Sequence, residues 1–201
     1  MKKWIIAATF LFATAAYADS PAVPVQITMQ TSLGTIELEL YPDKAPLTVA
    51  NFLKLVDGEH LDGAMFYRTV SPENDNGEPP ISVIQGGIGD EESPFPAIAH
   101  ETTQQTGLPH VDGALSMARS EVGTATTEFF ICVGDQPALD FGATRNPDEQ
   151  GFAVFGQVVA GMDVVHAIHQ APADAPTEFE YFQNQLINEP VLIYSVRRYG
   201  H

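Results

Sequence analysis

Strand-sized apolar runs bounded by turn residues recur along most of this 201-residue chain, and only two stretches carry a helical period. A run of four to eight apolar or alternating residues between turn signals reads as a strand, and a 3.6-residue repeat reads as an amphipathic helix. Val25, Ile27 and Met29 alternate with polar residues, Ser32-Leu33-Gly34 supplies turn chemistry, and Ile36, Leu38 and Leu40 alternate again. That pattern predicts a hairpin with one buried face. Further strands are predicted at Met65–Val70, Ile81–Ile84, Ala114–Ala118, Phe129–Val133, Phe152–Val158 and Val191–Val196. One helix is predicted at Pro46–Asp57, where Val49, Phe52, Leu53 and Val56 share a face. A second is predicted at Gly161–Gln170, with Met162, Val165 and Ile168 on one side. Strand and helix do not alternate, so a doubly wound parallel sheet is excluded. A closed antiparallel barrel or a sandwich remains, and two lone helices would suit a barrel's open ends.

The stretch Val111–Asp135 concentrates the chemistry. Its two strand-sized runs place aromatic and small residues side by side, with Arg119 and Glu128 at their inner ends. This composition suits the wall of a shallow apolar groove. Arg68 is the other anomaly. In a regular strand it shares a face with Phe66 and Val70, and an arginine on an apolar face either pairs with a carboxylate or meets a ligand.

Composition narrows the class. A hydrophobic content of 44% over this length suits one globular domain. A formal charge of -17, from 26 acids against 9 bases, repels phosphate backbones and argues against nucleic-acid partners. Cys132 is the only cysteine, so no intramolecular disulfide can form, and its apolar setting predicts an inert buried thiol. Met1-Lys2-Lys3, the apolar Trp4–Thr14 and Ala16-Tyr17-Ala18 read as a cleaved secretory signal over residues 1–18. The expectation is a single domain over residues 19–201, located in the periplasm or outside the cell. No later segment is long and apolar enough to cross a bilayer as a helix.

Several common site chemistries are not supported. Ser71–Pro80 is rich in acids and asparagines but lacks the EF-hand spacing. Gly87-Ile88-Gly89 does not complete a dinucleotide-binding fingerprint. His100-Glu101 and the scattered histidines match no metal-ligand spacing, so no metal or cofactor is expected. His110, Asp112 and Ser116 lie close in sequence, which is not the geometry a catalytic triad needs.

In order and spacing, a set of motifs resembles the cyclophilin-type peptidyl-prolyl cis-trans isomerases. They are Phe66–Arg68 (FYR), Gln85–Gly87 (QGG), Gly113–Arg119 (GALSMAR), Glu128–Ile131 (EFFI), Leu139-Asp140 and Phe152–Val165. The resemblance covers about Val25 to Tyr199 and implies an all-β fold, a closed eight-stranded antiparallel barrel capped by two α-helices. It implies that Arg68 is the catalytic donor and that Gln85 holds the substrate backbone. Val83, Phe130, Leu139 and Phe152 would line a proline pocket, with Glu128 beside it, and the backbone at Ala118-Arg119 would pair with an extended peptide. The implied substrates are proline-containing polypeptides in unfolded or partly folded proteins, met by a monomer in the periplasm.

The sequence also departs from the family pattern. Ser82 aligns with a pocket phenylalanine, Val83 with a methionine, Arg119 with an asparagine and Glu128 with a glutamine. Ala138 aligns with the tryptophan associated with cyclosporin binding, and Phe152 with a histidine, so weak or no cyclosporin binding is expected. Glu128 would either pair with Arg68 and dull it, or orient it. These changes leave an alternative of another class, a cyclophilin-like binding or chaperone module with little catalysis.

Overall fold

The computed structural model describes residues 23–89 and 93–200. The expected signal segment, its cleavage site and the start of the mature domain lie outside those residues. Eight strands form a closed antiparallel barrel. They are β1 (Val25–Thr31), β2 (Gly34–Leu40), β3 (Met65–Val70), β4 (Val83–Gly87), β5 (Ala114–Met117), β6 (Phe129–Cys132), β7 (Ala153–Ala160) and β8 (Leu186–Arg198). Around the barrel the order is β1-β2-β7-β5-β6-β4-β3-β8, closing back onto β1. A sandwich, the other architecture that periodicity allows, is thereby excluded.

The β1–β2 hairpin pairs Thr31 with Gly34 across its turn, and Ile27, Met29, Ile36, Leu38 and Leu40 all point into the core. Period-two alternation in the sequence thus becomes one dry barrel face. β8 starts five residues before the predicted run, at Leu186, because its first residues pair with β3 rather than forming part of the preceding connection. At its far end Arg197 and Arg198 ion-pair with Asp62 and Asp57.

The helices α1 (Pro46–Asp57) and α3 (Met162–His169) fall where predicted. In α1 the buried face runs through Val49, Phe52, Leu55 and Val56, with Leu53 only partly covered. The Glu101 carboxylate accepts the Leu47 N–H, the Thr48 N–H and the Thr48 hydroxyl, satisfying the start of α1 from a distant segment. Beside the two expected helices, a third, one-turn helix α2 spans Thr103–Thr106. A reciprocal capping box between Thr102 and Gln105 and a left-handed Gly107 define it. A single turn offers no hydrophobic period, so only its caps could have revealed it.

Two hydrophobic clusters result. The larger fills the barrel, with Phe52, Phe66, Phe129 and Phe155 in ring contact. The smaller lies on the outside of the sheet, from Val70 and Ile81 through Val83, Phe130 and Cys132 to Leu139 and Val154. This outer cluster carries the site.

Candidate active site

Strand register brings the functional side chains into one row. β3 pairs Arg68 with Gln85 on β4, and β4 pairs Gln85 with Phe130 on β6. Directly opposed residues in an antiparallel sheet project from the same face, so these three stand side by side. The regular-strand expectation for Arg68 is half corrected. Phe66 pairs with Gly86, while Arg68, two residues on, pairs with Gln85, only one residue back. Tyr67 is the extra residue of a β-bulge. The bulge leaves Phe66 inside the barrel and turns Arg68 out, onto the face of Val70 and Val83. Gly86 is required beside it, because a Cβ there would sit 2.7 Å from the Met65 carbonyl oxygen.

The groove has a volume of about 740 Å³. Arg68, Val83, Gln85, Ala118, Arg119, Glu128, Phe130, Leu139 and Phe152 all line it, so the structure gathers every site residue expected from sequence. Ser82 does not line it. Ile81 and Val83, two residues apart, face the groove, while the Ser82 hydroxyl meets His169 Nε2 at 3.0 Å. Period two therefore hands the apolar position to Ile81.

Phe130 forms the floor. The Phe152 ring stands edge-on to it at 5.3 Å, and His110 stacks beneath it at 5.8 Å with the planes 9° apart. His110 Nδ1 meets Asp140 Oδ1 at 2.7 Å, and Nε2 meets the Ser116 hydroxyl at 3.0 Å. A carboxylate can only accept, so Nδ1 carries the proton and Nε2 accepts from Ser116. The chain looks like a triad, yet Ser116 is fully buried and no substrate can reach it. Its effect is to fix the ring under Phe130. Burial lowers the His110 pKa, although the Asp140 carboxylate pulls the other way. Leu139 closes the pocket from a 3-10 turn at Pro137–Leu139. Gly151 lets that turn approach the strand β7, since a Cβ there would meet the Leu139 carbonyl oxygen at 2.5 Å.

Arg68 is 7% exposed. Its Nη1 donates to Gln85 Oε1 at 2.8 Å, while Nε and Nη2 both donate to Gln185 Oε1, at 2.9 and 2.6 Å. Tyr181 and Phe182 stack on the guanidinium, with centroids 5.1 and 4.9 Å from Cζ. Burial draws its pKa below the usual guanidinium value, which still leaves arginine charged at any physiological pH. Sequence reasoning missed Gln185, Tyr181 and Phe182. They belong to a connection with no apolar period, and Gln185 is 117 residues from Arg68.

Glu128 forms no ion pair with Arg68. Its carboxylate accepts the Tyr67 hydroxyl at 2.6 Å and the Gly89 N–H at 3.1 Å. Tyr67 in turn accepts from Gln85 Nε2 at 2.8 Å, which fixes the Gln85 amide with its oxygen toward Arg68. Burial, then the Glu128 charge, raises the Tyr67 pKa. Arg119 is likewise occupied. It forks onto the Asp148 carboxylate at 2.7 and 2.8 Å, reaches the Gly151 carbonyl, and covers the Phe152 ring at 5.2 Å. The Ala118 N–H donates to the Glu128 carbonyl at 2.9 Å, so an added strand has the Ala118 carbonyl and Arg119 to pair with, and not that N–H.

Burial, then the Asp140, Asp112 and Asp135 carboxylates, pushes the Cys132 thiol up, consistent with an inert buried thiol. His100 and Glu101 are spoken for by the Gln150 carbonyl and α1.

A closed antiparallel barrel with a groove on its outer wall, floored by aromatic rings and edged by the buried Arg68 guanidinium, belongs to a narrow class. Within that class the chain belongs to the cyclophilin type peptidyl-prolyl cis-trans isomerase/CLD family, whose model matches residues 26–197. It is 36% identical over 176 residues to a peptidyl-prolyl cis-trans isomerase of Acinetobacter baylyi, covering 85% of this chain and 84% of that protein. It is 34% identical over 206 residues to peptidyl-prolyl cis-trans isomerase A of Dickeya dadantii, covering 98% of each. The fold matches the crystal structure of a cyclophilin type peptidyl-prolyl cis-trans isomerase of Cryptosporidium parvum. That match has a TM-score of 0.67 at 17% identity and covers 89% of this chain and 99% of the other. The chain is thus a peptidyl-prolyl isomerase acting on proline-containing polypeptides.

Proposed function

We propose that Arg68 is the catalytic residue of this isomerase, and that the groove grips proline on Phe130 while the preceding peptide bond turns beside the guanidinium. Rotation about an X-Pro bond must overcome a barrier of roughly 18–20 kcal/mol, because the amide has partial double-bond character. In the twisted state the nitrogen is pyramidal and regains its lone pair. A fixed cationic donor near that nitrogen lowers the barrier, and no covalent bond has to form or break. The observation that carries this reading is the row Arg68–Gln85–Phe130 on adjacent strands, which sets the guanidinium at the edge of the apolar floor. Val83, Leu139 and Phe152 complete the walls of the proline pocket, and the Ala118-Arg119 edge offers backbone for an extended peptide.

On this reading the cellular role is to assist folding in the periplasm, after removal of residues 1–18, as a soluble monomer. Cell fractionation and sedimentation check those two points. Cyclosporin binds weakly or not at all, because Ala138 and Phe152 replace the family's tryptophan and histidine. A nanomolar complex in a titration would overturn that expectation.

The direct test is the cis-to-trans rate of an X-Pro peptide with wild-type protein and Arg68→Ala. The expected loss in kcat/KM is about 10²–10³-fold, the scale for removing one preorganised donor. A second reading, a binding module with little catalysis, draws on the low exposure of Arg68 under Tyr181 and Phe182. Folded wild-type protein that binds proline peptides without accelerating rotation would establish it instead.

A further inference from the structure

To act as a donor, Arg68 must be held still without being neutralised. We propose that Gln185 is the positioning residue that does both, an inference that rests on the catalytic assignment of Arg68. Gln185 is fully buried and is not among the groove-lining residues. Its single amide oxygen accepts from Nε and Nη2 of Arg68, at 2.9 and 2.6 Å, along the edge where a carboxylate would normally sit. The amide cannot be turned round. Its Nε2 donates to the Asn74 carbonyl at 2.8 Å, and a flip would set oxygen against oxygen and N–H against N–H. The backbone is fixed too, since the Gln185 carbonyl accepts from the Thr69 N–H at 2.9 Å.

The choice of a neutral partner is what points to function. Among the described residues every other arginine forms an ion pair: Arg119 with Asp148, Arg145 with Asp75, Arg197 with Asp62 and Arg198 with Asp57. Acids outnumber bases 26 to 9, so carboxylates are abundant. Arg68 alone is held by two amides, from Gln85 and Gln185. An amide oxygen fixes the guanidinium plane and leaves its full charge to act in the groove. A carboxylate in the same place would hold the plane and cancel the field.

Purified protein carrying Gln185→Glu or Gln185→Met is compared with wild type and Arg68→Ala for kcat and KM on an X-Pro peptide, below the thermal transition of each variant. Gln185→Glu retains an acceptor and adds a charge, while Gln185→Met keeps the volume and removes the acceptor. Each is expected to lower kcat by about tenfold with KM within about twofold of wild type. A purely structural role would lower the melting temperature and leave kcat of the folded molecules unchanged. That result in either folded variant, beside a collapsed Arg68→Ala, would overturn the role of Gln185 alone. An Arg68→Ala protein as fast as wild type would overturn the catalytic assignment, and this inference with it.

Discussion

His110 shows how one buried side chain ties the pocket to pH. It is 1% exposed, hydrogen-bonded at both nitrogens, and stacked under the Phe130 floor. Burial lowers its folded-state pKa below the ordinary value of 6.5, against the pull of Asp140. The unfolded chain therefore takes up this proton at a higher pH than the folded one. The stabilisation is fully present above about pH 6.5 and is lost as pH falls toward the folded pKa, with a slope of at most about 1.4 kcal/mol per pH unit for one proton. Denaturant unfolding at pH 7.5, 6 and 5 should show that loss, and His110→Asn should flatten it. An equal slope in the variant would assign the titration to other groups. Protonation would also remove the acceptor that Nε2 offers Ser116, so the floor loosens together with the fold.

Three connections that frame the groove are clasped by one buried ion pair. Asp75, in the loop before β4, takes Arg145, in the loop before β7, in a fork at 2.7 and 2.8 Å, with both side chains at most 5% exposed. Arg145 also donates to the Tyr181 hydroxyl, in the segment that covers Arg68. Burial pushes the Asp75 pKa up, but Arg145 and the Ile81 and Gly77 N–H groups together carry it below the usual carboxylate value. Arg145→Ala leaves that carboxylate buried without its cation, at a cost of about 3 kcal/mol, or a melting temperature lower by roughly 6–12 °C. Thermal denaturation checks this, and a shift under 2 °C would mean the loops hold without the pair. None of this clasp was legible in the sequence, where Ser71–Pro80 reads as a solvated loop. The strands and both long helices were legible because each presents a period to a core. The bulge at Tyr67, the one-turn α2 and the partners of Arg68 have no period to read. They depend on which distant segments the closed barrel brings together, as when Glu101 caps α1.

At the scale of the molecule, a strongly acidic body carries a groove whose one uncompensated arginine is Arg68. The chain's formal charge is -17, and loss of Lys2 and Lys3 with the expected signal would make it -19. Apart from Asp75, whose side chain is buried, the described Asp and Glu residues are exposed or partly exposed, while most apolar residues fill two clusters. Family membership was legible because its motifs fall on the strands around the groove, whereas charge is spread over the surface and follows no motif. A field of this size acts over about a Debye length, roughly 10 Å at 0.1 M salt, and so affects encounter more than the bond rotation itself. An X-Pro peptide flanked by lysines should therefore show a higher kcat/KM than the same peptide flanked by glutamates, by about tenfold at 10 mM salt. The difference should appear largely in KM and shrink to within about twofold at 0.5 M salt, where screening is complete within a few ångströms. Equal values for both peptides at low salt would mean that Arg68 and its surroundings offset the acidic body at the groove. A preference that persisted at high salt would place the discrimination in direct contacts, with Glu128, a carboxylate that lines the groove, to account for it.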